Sequence, residues 1–313
     1  MNNNFNAIAI IGPTAAGKTD VSLELSEMIN CEIISADSRQ IYKYLDIGTA
    51  KPKVEELKKV PHYFIDIIEP DCPYSAGKFA FSANEKVIEI LESGKTPLIV
   101  GGSGLYIKAL CEGLFDEEEN YNKNINRIIL QERFEKEGIE KLYKELLAVD
   151  KKSADLYLDK NPRRIIRALE YYLTMGEPIS NAYTQSNIER SFNTLYFYID
   201  MPRNVLYERI NFRSEKMWES GLVEETEKIL KMGFSTDLNS LNTVGYKETI
   251  QFLKDEISAE DALNEIKKNT RRYAKRQVTW FTKVENVHKI YGTTQEIAFQ
   301  IMRIYTEKTD AGL

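Results

Sequence analysis

The sequence contains few cysteines and no long hydrophobic run. Its three cysteines, Cys31, Cys72 and Cys111, are odd in number and lie roughly 40 residues apart, a spacing that matches neither a zinc site nor a secreted disulfide framework. The apolar stretch nearest the amino terminus, residues 7–11, is too short to span a membrane. It also lacks the basic segment and cleavage pattern of a signal peptide. We therefore expect a cytoplasmic protein with reduced thiols and no membrane association.

The composition is that of a soluble globular protein. Of the 313 residues, 42% are hydrophobic and 29% are charged, and the length exceeds that of one usual domain. The net charge of −6 disfavours a nucleic-acid partner at first sight. Affinity for phosphates depends on local clusters of basic residues, however, and an acidic protein can carry a basic face. The class of partner must therefore be inferred from local patterns.

Short apolar runs alternate with helix-compatible segments through the first third of the chain. Each run is nearly continuous in hydrophobic residues, as in strands buried on both faces of a parallel sheet. Strands that alternate with helices indicate βαβ crossovers and a layered α/β core. The predicted strands, including two late in the chain, are residues 7–11, 32–35, 63–67, 97–100, 195–199 and 286–291.

This alternation stops after Leu114, where an acidic, Asn-rich linker at 115–124 leads into a helical pattern. Later in this region, Asn161 and Pro162 are typical of the start of a helix, and Gly176 is typical of its end. We predict that residues 1–114 and 194–313 form the α/β core with its C-terminal helices. Residues 115–193 are then an inserted, all-helical domain.

The strongest chemical motif is a complete P-loop that follows the first predicted strand and opens a predicted helix. Its glycines permit a tight turn whose backbone N–H groups converge on phosphate oxygens, assisted by the positive end of the helix. Lys18 adds a positive charge, and the hydroxyl of Thr19 can ligate a phosphate-bound magnesium ion. The motif predicts a polyphosphate ligand such as ATP, and a P-loop NTPase-like core with a parallel sheet. It comprises Gly12, Pro13, Thr14, Ala15, Ala16, Gly17, Lys18 and Thr19.

A polar segment follows the second predicted strand, at the end of the strand where α/β sheets bind their ligands. It contains Asp37, Ser38, Arg39 and Gln40. Asp37 is a candidate general base, and a metal-binding role for its carboxylate is the alternative. Both roles require Asp37 to lie beside the P-loop.

A glycine cluster, Gly101, Gly102 and Gly104, follows the strand predicted at 97–100. These glycines permit close approach of the backbone to a ligand, and a structural turn is an equally good interpretation. His62 is interpreted as a hydrogen-bonded structural residue.

Two clusters of basic residues are candidate phosphate-binding faces. The first, at 267–276, has six basic residues in ten and no acidic one, and includes Arg271, Arg272, Lys275 and Arg276. The second lies on the helix predicted after Asn161 and comprises Arg163, Arg164 and Arg167. A solvated charged face is the alternative for each cluster.

Taken in order, these segments resemble the tRNA dimethylallyltransferase family of bacterial type, also called tRNA isopentenyltransferases. The resemblance extends through most of the chain and does not depend on the P-loop alone. The matching segments are residues 12–19, 35–42, 46–52, 61–66, 74–76, 101–106, 161–170, 244–248 and 270–280.

The resemblance implies a Mg²⁺-dependent transfer of the dimethylallyl group from dimethylallyl diphosphate to N6 of the adenosine on the 3′ side of the anticodon. The P-loop would bind the donor and Arg213 would face its diphosphate. Residues 37–40 would meet the target adenosine. Catalysis would rest on Asp37, Lys18, Thr19 and Arg213, with Thr19 at the metal. We expect a monomer that binds the anticodon stem-loop of tRNA.

The resemblance also assigns RNA contacts outside residues 37–40. Ser103 stands where the family usually has Thr, so the hydroxyl is kept. Ile125 and Arg127 align with two usual arginines, which leaves Arg127 as the retained contact. A further RNA-contact segment of the family matches Asn161, Pro162, Arg163, Arg164 and Ile165.

The chemistry of an allylic diphosphate agrees with these residue types. The leaving group departs as a highly charged anion while positive charge builds on the allyl carbon, so nearby cations lower the barrier. The adenine amine is a poor nucleophile, and a carboxylate that accepts its proton assists the attack. An anticodon loop supplies a base that leaves its stack at low cost.

Three other functions would use some of the same residues. A small-molecule P-loop kinase and an adenylate isopentenyltransferase would not need the helical insertion and its arginines. An NTP-switched RNA-binding protein would leave residues 37–40 and Ser103 without a role. The donor that binds and the mass gained by tRNA distinguish among these functions.

Overall fold

The computed structural model describes residues 5–113, 121–185 and 191–310. The chain divides into two compact units. One consists of Met1–Cys111 with Arg190–Leu313, and the other of Glu112–Glu189. The predicted linker at 115–124 falls mostly outside the described residues.

The first unit is built on a six-stranded sheet in the order β3-β2-β4-β1-β5-β6, and every pairing in it is parallel. The prediction of an α/β fold with a parallel sheet is therefore confirmed. The strands are β1 (Ala7–Ile11), β2 (Cys31–Ser35), β3 (His62–Tyr63), β4 (Thr96–Gly101), β5 (Thr194–Ile199) and β6 (Val287–Ile290).

The helices are numbered in chain order across both units. Before the second unit lie α1 (Lys18–Ser26), α2 (Val54–Leu57), α3 (Ala76–Glu92) and α4 (Gly104–Cys111). The second unit contains α5 (Tyr121–Glu137), α6 (Ile139–Val149), α7 (Lys151–Leu156), α8 (Pro162–Met175) and α9 (Ile179–Gln185). After it come α10 (Arg203–Glu219), α11 (Leu222–Lys231), α12 (Tyr246–Leu253), α13 (Ala259–Phe281) and α14 (Thr294–Asp310).

The strands are apolar because helices cover both faces of the sheet. Every residue of β1 and of β2 is buried, and the core continues through Leu98, Leu195 and Phe197 to Ile301 of α14. Strand β1 lies between β4 and β5. The carboxyl ends of β1, β2 and β4 therefore meet at one edge, where such sheets bind ligands.

The predicted third strand is shorter than expected. We predicted residues 63–67, but β3 ends at Tyr63. Phe64 and Asp66 have positive φ angles, 66° and 55°, which a strand cannot accommodate. Asp66 instead turns toward Lys51, with which it forms an ion pair. Apolar character alone did not reveal this turn.

The second unit is helical throughout its described residues and has its own apolar core. Leu130, Leu142, Leu146, Leu169 and other buried side chains pack together there. Helix α8 begins and ends as its sequence predicts. The side chain of Asn161 accepts a hydrogen bond from the N–H of Arg163 at 3.1 Å, and Gly176 ends the helix in the left-handed conformation.

Two further expectations concern the state of the cysteine thiols and membrane association. Cys31, Cys72 and Cys111 are all free thiols. Among the described residues, no helix combines the length and the apolar character needed to cross a bilayer.

Candidate active site

A cavity of about 820 Å³ lies in the first unit, at the carboxyl ends of β1, β2 and β4. Its wall is formed by the P-loop, the segment 37–40, the loop 48–52, and side chains of α10 and α13. The P-loop follows β1 and the segment 37–40 follows β2, with β4 between these two strands, so the sheet topology places both predicted ligand-binding segments at the same edge.

The P-loop wraps around the amino-terminal end of α1. Gly17 precedes the helix in the left-handed conformation, with φ 90°, and no side chain caps the first turn. Ala15 also has a positive φ, 64°, which is unfavourable for a residue with a Cβ atom. Backbone N–H groups left without a side-chain cap at a helix start form an anion site.

The ammonium group of Lys18 folds back onto the loop. It donates hydrogen bonds to the carbonyl oxygens of Gly12, at 3.0 Å, and Pro13, at 2.8 Å. Burial lowers the pKa of Lys18 to about 8, partly offset by the nearby carboxylate of Asp37, and Arg213 lowers it further. Lys18 is thus a desolvated cation with too few partners to hold its charge at its ordinary pKa.

Two arginines of α10 complete the positive wall. Arg213 lines the cavity, and burial lowers its pKa, while Asp37 and Asp20 act in the opposite direction. Arg209 lies against the P-loop, since a Cβ atom at Gly17 would be 3.3 Å from its Nη2. Sequence analysis identified Arg213 but missed Arg209. The spacing of four residues, which places both on one helical face, was the available signal.

Gln277 of α13 connects the P-loop to the glycine cluster, a role that the sequence did not reveal. Its Oε1 accepts a hydrogen bond from the N–H of Thr14 at 2.8 Å, and its Nε2 donates to the carbonyl of Gly102 at 2.9 Å. Any Cβ atom at Gly102 would overlap this amide. Gln277 therefore locks the loop to the end of β4.

The glycine cluster serves close packing within the protein. Cβ atoms at Gly101 and Gly104 would overlap the backbone of Ala36 and the indole of Trp280, respectively. The structural interpretation of the cluster therefore applies at these glycines, and close approach to a ligand is not needed to explain them.

Asp37 lies directly after β2 and organises the segment that follows it. Its Oδ1 accepts the N–H of Arg39 at 2.9 Å and the N–H of Gln40 at 3.4 Å. Arg39 donates to the carbonyl of Asn239 at 2.7 Å, and Gln40 donates to the loop 49–50. Asp37 lines the cavity with one oxygen engaged locally, and it lies close enough to Lys18 and Arg213 to interact with their charges.

Ser103 is buried and joins two loops. Its Oγ accepts the N–H of Ser38 at 3.0 Å and donates to the Ser38 hydroxyl at 3.2 Å. Tyr273 of α13, another residue that sequence analysis missed, lines the cavity and is hydrogen-bonded to Ser103. Burial, with Asp37 nearby, raises the pKa of Tyr273 to about 12, so its phenol stays protonated and can donate.

Among the described residues, no cluster of three or more His, Cys, Asp or Glu side chains could hold a metal ion. Thr19 and Asp37 both line the cavity. One hydroxyl and one carboxylate match the way Mg²⁺ is held together with substrate phosphates. The site fits a divalent ion that arrives on a phosphorylated ligand.

The basic residues of α13 do not all face solvent. Arg272, Lys275 and Arg276 are exposed, and Arg276 also lines the cavity. Arg271 instead turns toward α10, where it donates to Asn211 Oδ1 at 2.5 Å. The assignment of Arg271 as an RNA contact stays a prediction.

In the second unit, two of the arginines expected to contact RNA lie beside the buried carboxylate of Glu170. Arg167 donates to Glu170 at 2.8 Å, and Nε of Arg127 lies 3.9 Å from the other oxygen of Glu170. Arg163 and Arg164 are exposed. Ile165 is fully buried in the unit's core, and its place in an RNA-contact segment stays a prediction. Pro162 and Asn161 start α8.

A parallel sheet covered by helices, with a P-loop between β1 and α1, places the protein in the class of P-loop proteins. Residues 40–284 match the model of the IPP transferase family. A tRNA dimethylallyltransferase from Acetivibrio thermocellus is 44% identical over 287 residues, which cover 91% of each chain. Another from Alkaliphilus oremlandii is 41% identical over 281 residues, which cover 90% of each chain. The chain belongs to the IPP transferase family, whose members are prenyl-transferring enzymes, and the resemblance inferred from its motifs is confirmed.

Solved structures agree with this assignment. The tRNA isopentenylpyrophosphate transferase of Bacillus halodurans is 35% identical and superposes with a TM-score of 0.71, over 98% of this chain and 97% of that one. A eukaryotic dimethylallyltransferase acting on tRNA has a TM-score of 0.84 over 97% of this chain and 79% of that one. At 24% identity, the latter shows the fold alone.

We expect the affinity of the protein for inorganic diphosphate to fall as pH rises through about 8, where Lys18 loses its charge in the free protein. Below that pH the ammonium attracts the anion, and above it only the arginines do. Isothermal titration calorimetry about one unit on either side of this value measures the change. Lys18→Met is the control, since diphosphate itself also titrates. The variant should bind more weakly and lack the extra loss, and parallel profiles for the two proteins would contradict this role of Lys18.

Proposed function

We propose that this protein transfers the dimethylallyl group of dimethylallyl diphosphate to N6 of the adenosine on the 3′ side of the anticodon in tRNA. The products are N6-(dimethylallyl)adenosine and diphosphate. The observation that carries the proposal is that one cavity is lined by both the carboxylate of Asp37 and the cations at the P-loop. The names of the relatives support transfer of a dimethylallyl group to tRNA. We infer a monomer acting in the cytoplasm.

The cations of the cavity suit a diphosphate leaving group. Lys18, Arg209 and Arg213 lie around the P-loop, so charge that develops on the departing oxygens meets fixed positive groups. Because burial lowers the pKa of Lys18 and Arg213, an anion relieves a cost already present in the free protein. Bond cleavage at the allylic carbon gains most from these cations, since the leaving oxygens then carry the most charge.

Mg²⁺ fits the same end of the cavity. The hydroxyl of Thr19 would hold it together with the diphosphate oxygens, and an outer contact of the Asp37 carboxylate with the ion is the alternative to the role assigned to Asp37 below. When bound, the ion neutralises part of the charge on the leaving group.

Asp37 is the residue that we assign as the proton acceptor. Attack by the adenine amine on the allylic carbon forms the N–C bond while the C–O bond to diphosphate breaks, and the amine then has one proton too many. The carboxylate of Asp37 can take that proton. Gln40 and Arg39, whose N–H groups bind Oδ1 of Asp37, keep the carboxylate in place.

We propose that tRNA is bound by exposed cations on both units. In the first unit these are Arg272, Lys275 and Arg276 of α13, the last of which reaches the cavity. In the second unit they are Arg163, Arg164 and Arg127, joined by the half-buried Arg167, and Arg167 and Arg127 both contact Glu170. Such groups track phosphates and leave selection of the target base to the cavity.

Mass spectrometry of tRNA separates the candidate reactions. With dimethylallyl diphosphate, Mg²⁺ and an unmodified tRNA, we expect the adenosine 3′ to the anticodon to gain one prenyl group. Lys18→Ala should abolish the transfer and leave tRNA binding unchanged, because it removes charge only at the leaving group. Prenylated AMP with unchanged tRNA would favour an adenylate isopentenyltransferase, and transfer of phosphate from ATP would favour a kinase. Nucleotide-dependent tRNA binding without transfer would favour an RNA-binding switch.

We expect Asp37→Asn to slow the chemical step by about 10²–10⁴-fold, because the amide keeps the shape but cannot accept the proton. Single-turnover transfer at saturating donor measures this step. Asp71→Asn, at an exposed aspartate, is the matched control and should react normally. If saturating Mg²⁺ and donor restore the rate of Asp37→Asn, Asp37 serves the metal and the base assignment is wrong.

Replacement of Arg272, Lys275 and Arg276 by Gln should weaken tRNA binding and reduce the slope of log affinity against log salt by up to about three units. Each phosphate contact releases counterions when it forms, so a variant with fewer contacts releases fewer of them. Filter binding across a salt series measures the slope. The matched control replaces three exposed cations elsewhere in the first unit, Lys289, Arg303 and Lys308. Equal slopes in the two triple variants would show that these residues of α13 are a solvated charged surface and not a phosphate-binding face.

A further inference from the structure

Glu225 of α11 holds a loop of the cavity wall from behind. Its carboxylate accepts the N–H groups of three consecutive residues, Asp46 at 3.2 Å, Ile47 at 2.9 Å and Gly48 at 3.3 Å. Its Oε1 also accepts the hydroxyl of Tyr246 at 2.6 Å. Successive backbone N–H groups that point at one anion form a nest, which is occupied here by a side chain of the protein itself.

Tyr246 makes this arrangement specific. It is fully buried, and its ring lies so close to Gly48 that a Cβ atom there would overlap it. Burial and the neighbouring Glu225 raise the pKa of Tyr246 far above its ordinary value, so the phenol always donates. A buried hydrogen bond between a neutral donor and a carboxylate is of the stronger kind.

The loop held by Glu225 in turn holds Gln40. The Nε2 of Gln40 donates to the carbonyls of Thr49, at 3.3 Å, and Ala50, at 3.2 Å. The Oε1 of Gln40 accepts the hydroxyl of Ser35 at 3.1 Å, and its backbone N–H lies 3.4 Å from Oδ1 of Asp37. Hydrogen bonds joined by the backbone of residues 46–50 and by the side chain of Gln40 therefore connect Tyr246 to Asp37.

The same loop is anchored at its other end. Lys51 has a nearly buried side chain and donates to the carbonyl of Tyr42 at 2.7 Å and to Asp46 at 2.6 Å. It also forms an ion pair with Asp66. Lys51 thus fixes the end of the loop, while Glu225 and Tyr246 hold its first three residues, 46–48.

We propose that Glu225 and Tyr246 are positioning residues that set the placement of Gln40 and Asp37 against the acceptor base. Neither side chain lines the cavity, so both act through the loop 46–50. The inference rests on the proposed function, since it names the acceptor side of that reaction. Displacement of a reacting group by about 1 Å can cost about 10²-fold in rate even when the change lies far from the chemistry.

This role predicts that rate and donor affinity respond differently. The P-loop is held by Gln277, on a separate set of contacts, so donor binding should not depend on Glu225. We expect Tyr246→Phe to slow single-turnover prenyl transfer by about tenfold and Glu225→Gln by about 100-fold, with the donor Kd changed by less than about twofold. The double variant should be no slower than Glu225→Gln, because the two residues act as one unit.

The matched controls are Glu227→Gln, at an exposed glutamate on the same helix, and Tyr291→Phe, at an exposed tyrosine. Both should transfer normally. Hydrogen exchange at the amides of residues 46–48 should speed up in Glu225→Gln and stay unchanged in Glu227→Gln. Only the Glu225 variant loses the carboxylate that accepts these N–H groups.

Two results would overturn the proposal. One is a normal single-turnover rate in Tyr246→Phe and Glu225→Gln with only a lower Tm, which is what a merely structural role gives. The other is a loss of donor affinity equal to the loss of rate. If Glu225→Gln does not fold, Tyr246→Phe decides, because it removes one hydroxyl and keeps the buried ring. A wild-type protein that transfers no prenyl group contradicts the proposed function itself.

Discussion

Positive charge held out of water at the end of a parallel sheet is the constraint around which this site is arranged. Lys18 and Arg213 both have pKa values lowered by burial, and Arg209 lies against the same loop. Desolvated cations are costly unless an anion joins them. Asp37 and Asp20 compensate only in part. The free protein therefore retains positive charge that is not fully compensated, and a phosphorylated ligand would neutralise it.

The rest of the structure holds these charged side chains and their loops in position. The order of the sheet brings the ends of β1, β2 and β4 together, and Gln277 fixes the loop after β1 to the end of β4. Glycines at 101, 102 and 104 let neighbouring elements approach closely enough for these contacts. On the facing wall, Ser103 and the loop 46–50 hold residues 37–40. Each wall of the cavity thus has its own set of supports.

Local patterns in the sequence predicted the elements whose physics is local. A continuous apolar run identified β1, a P-loop motif identified Lys18 and Thr19, and capping residues identified both ends of α8. What they could not predict depends on tertiary neighbours. The turn at Phe64, the contact of Arg271 with Asn211 and the burial of Ile165 are set by partners far away or by packing. Gln277 and Glu225 gave no signal, because a polar residue on a helix does not reveal what it meets.

The contacts of Gln277 have a consequence for the order of events at the site. Helix α13 carries the exposed cations Arg272 and Lys275 on its outside, and from its inside it grips the N–H of Thr14 in the P-loop. Gln277 therefore joins the helix that carries these cations directly to the P-loop. If tRNA bound at α13 changes the affinity of the P-loop for the donor, bound donor must change the affinity for tRNA by the same factor, because such coupling is thermodynamically reciprocal.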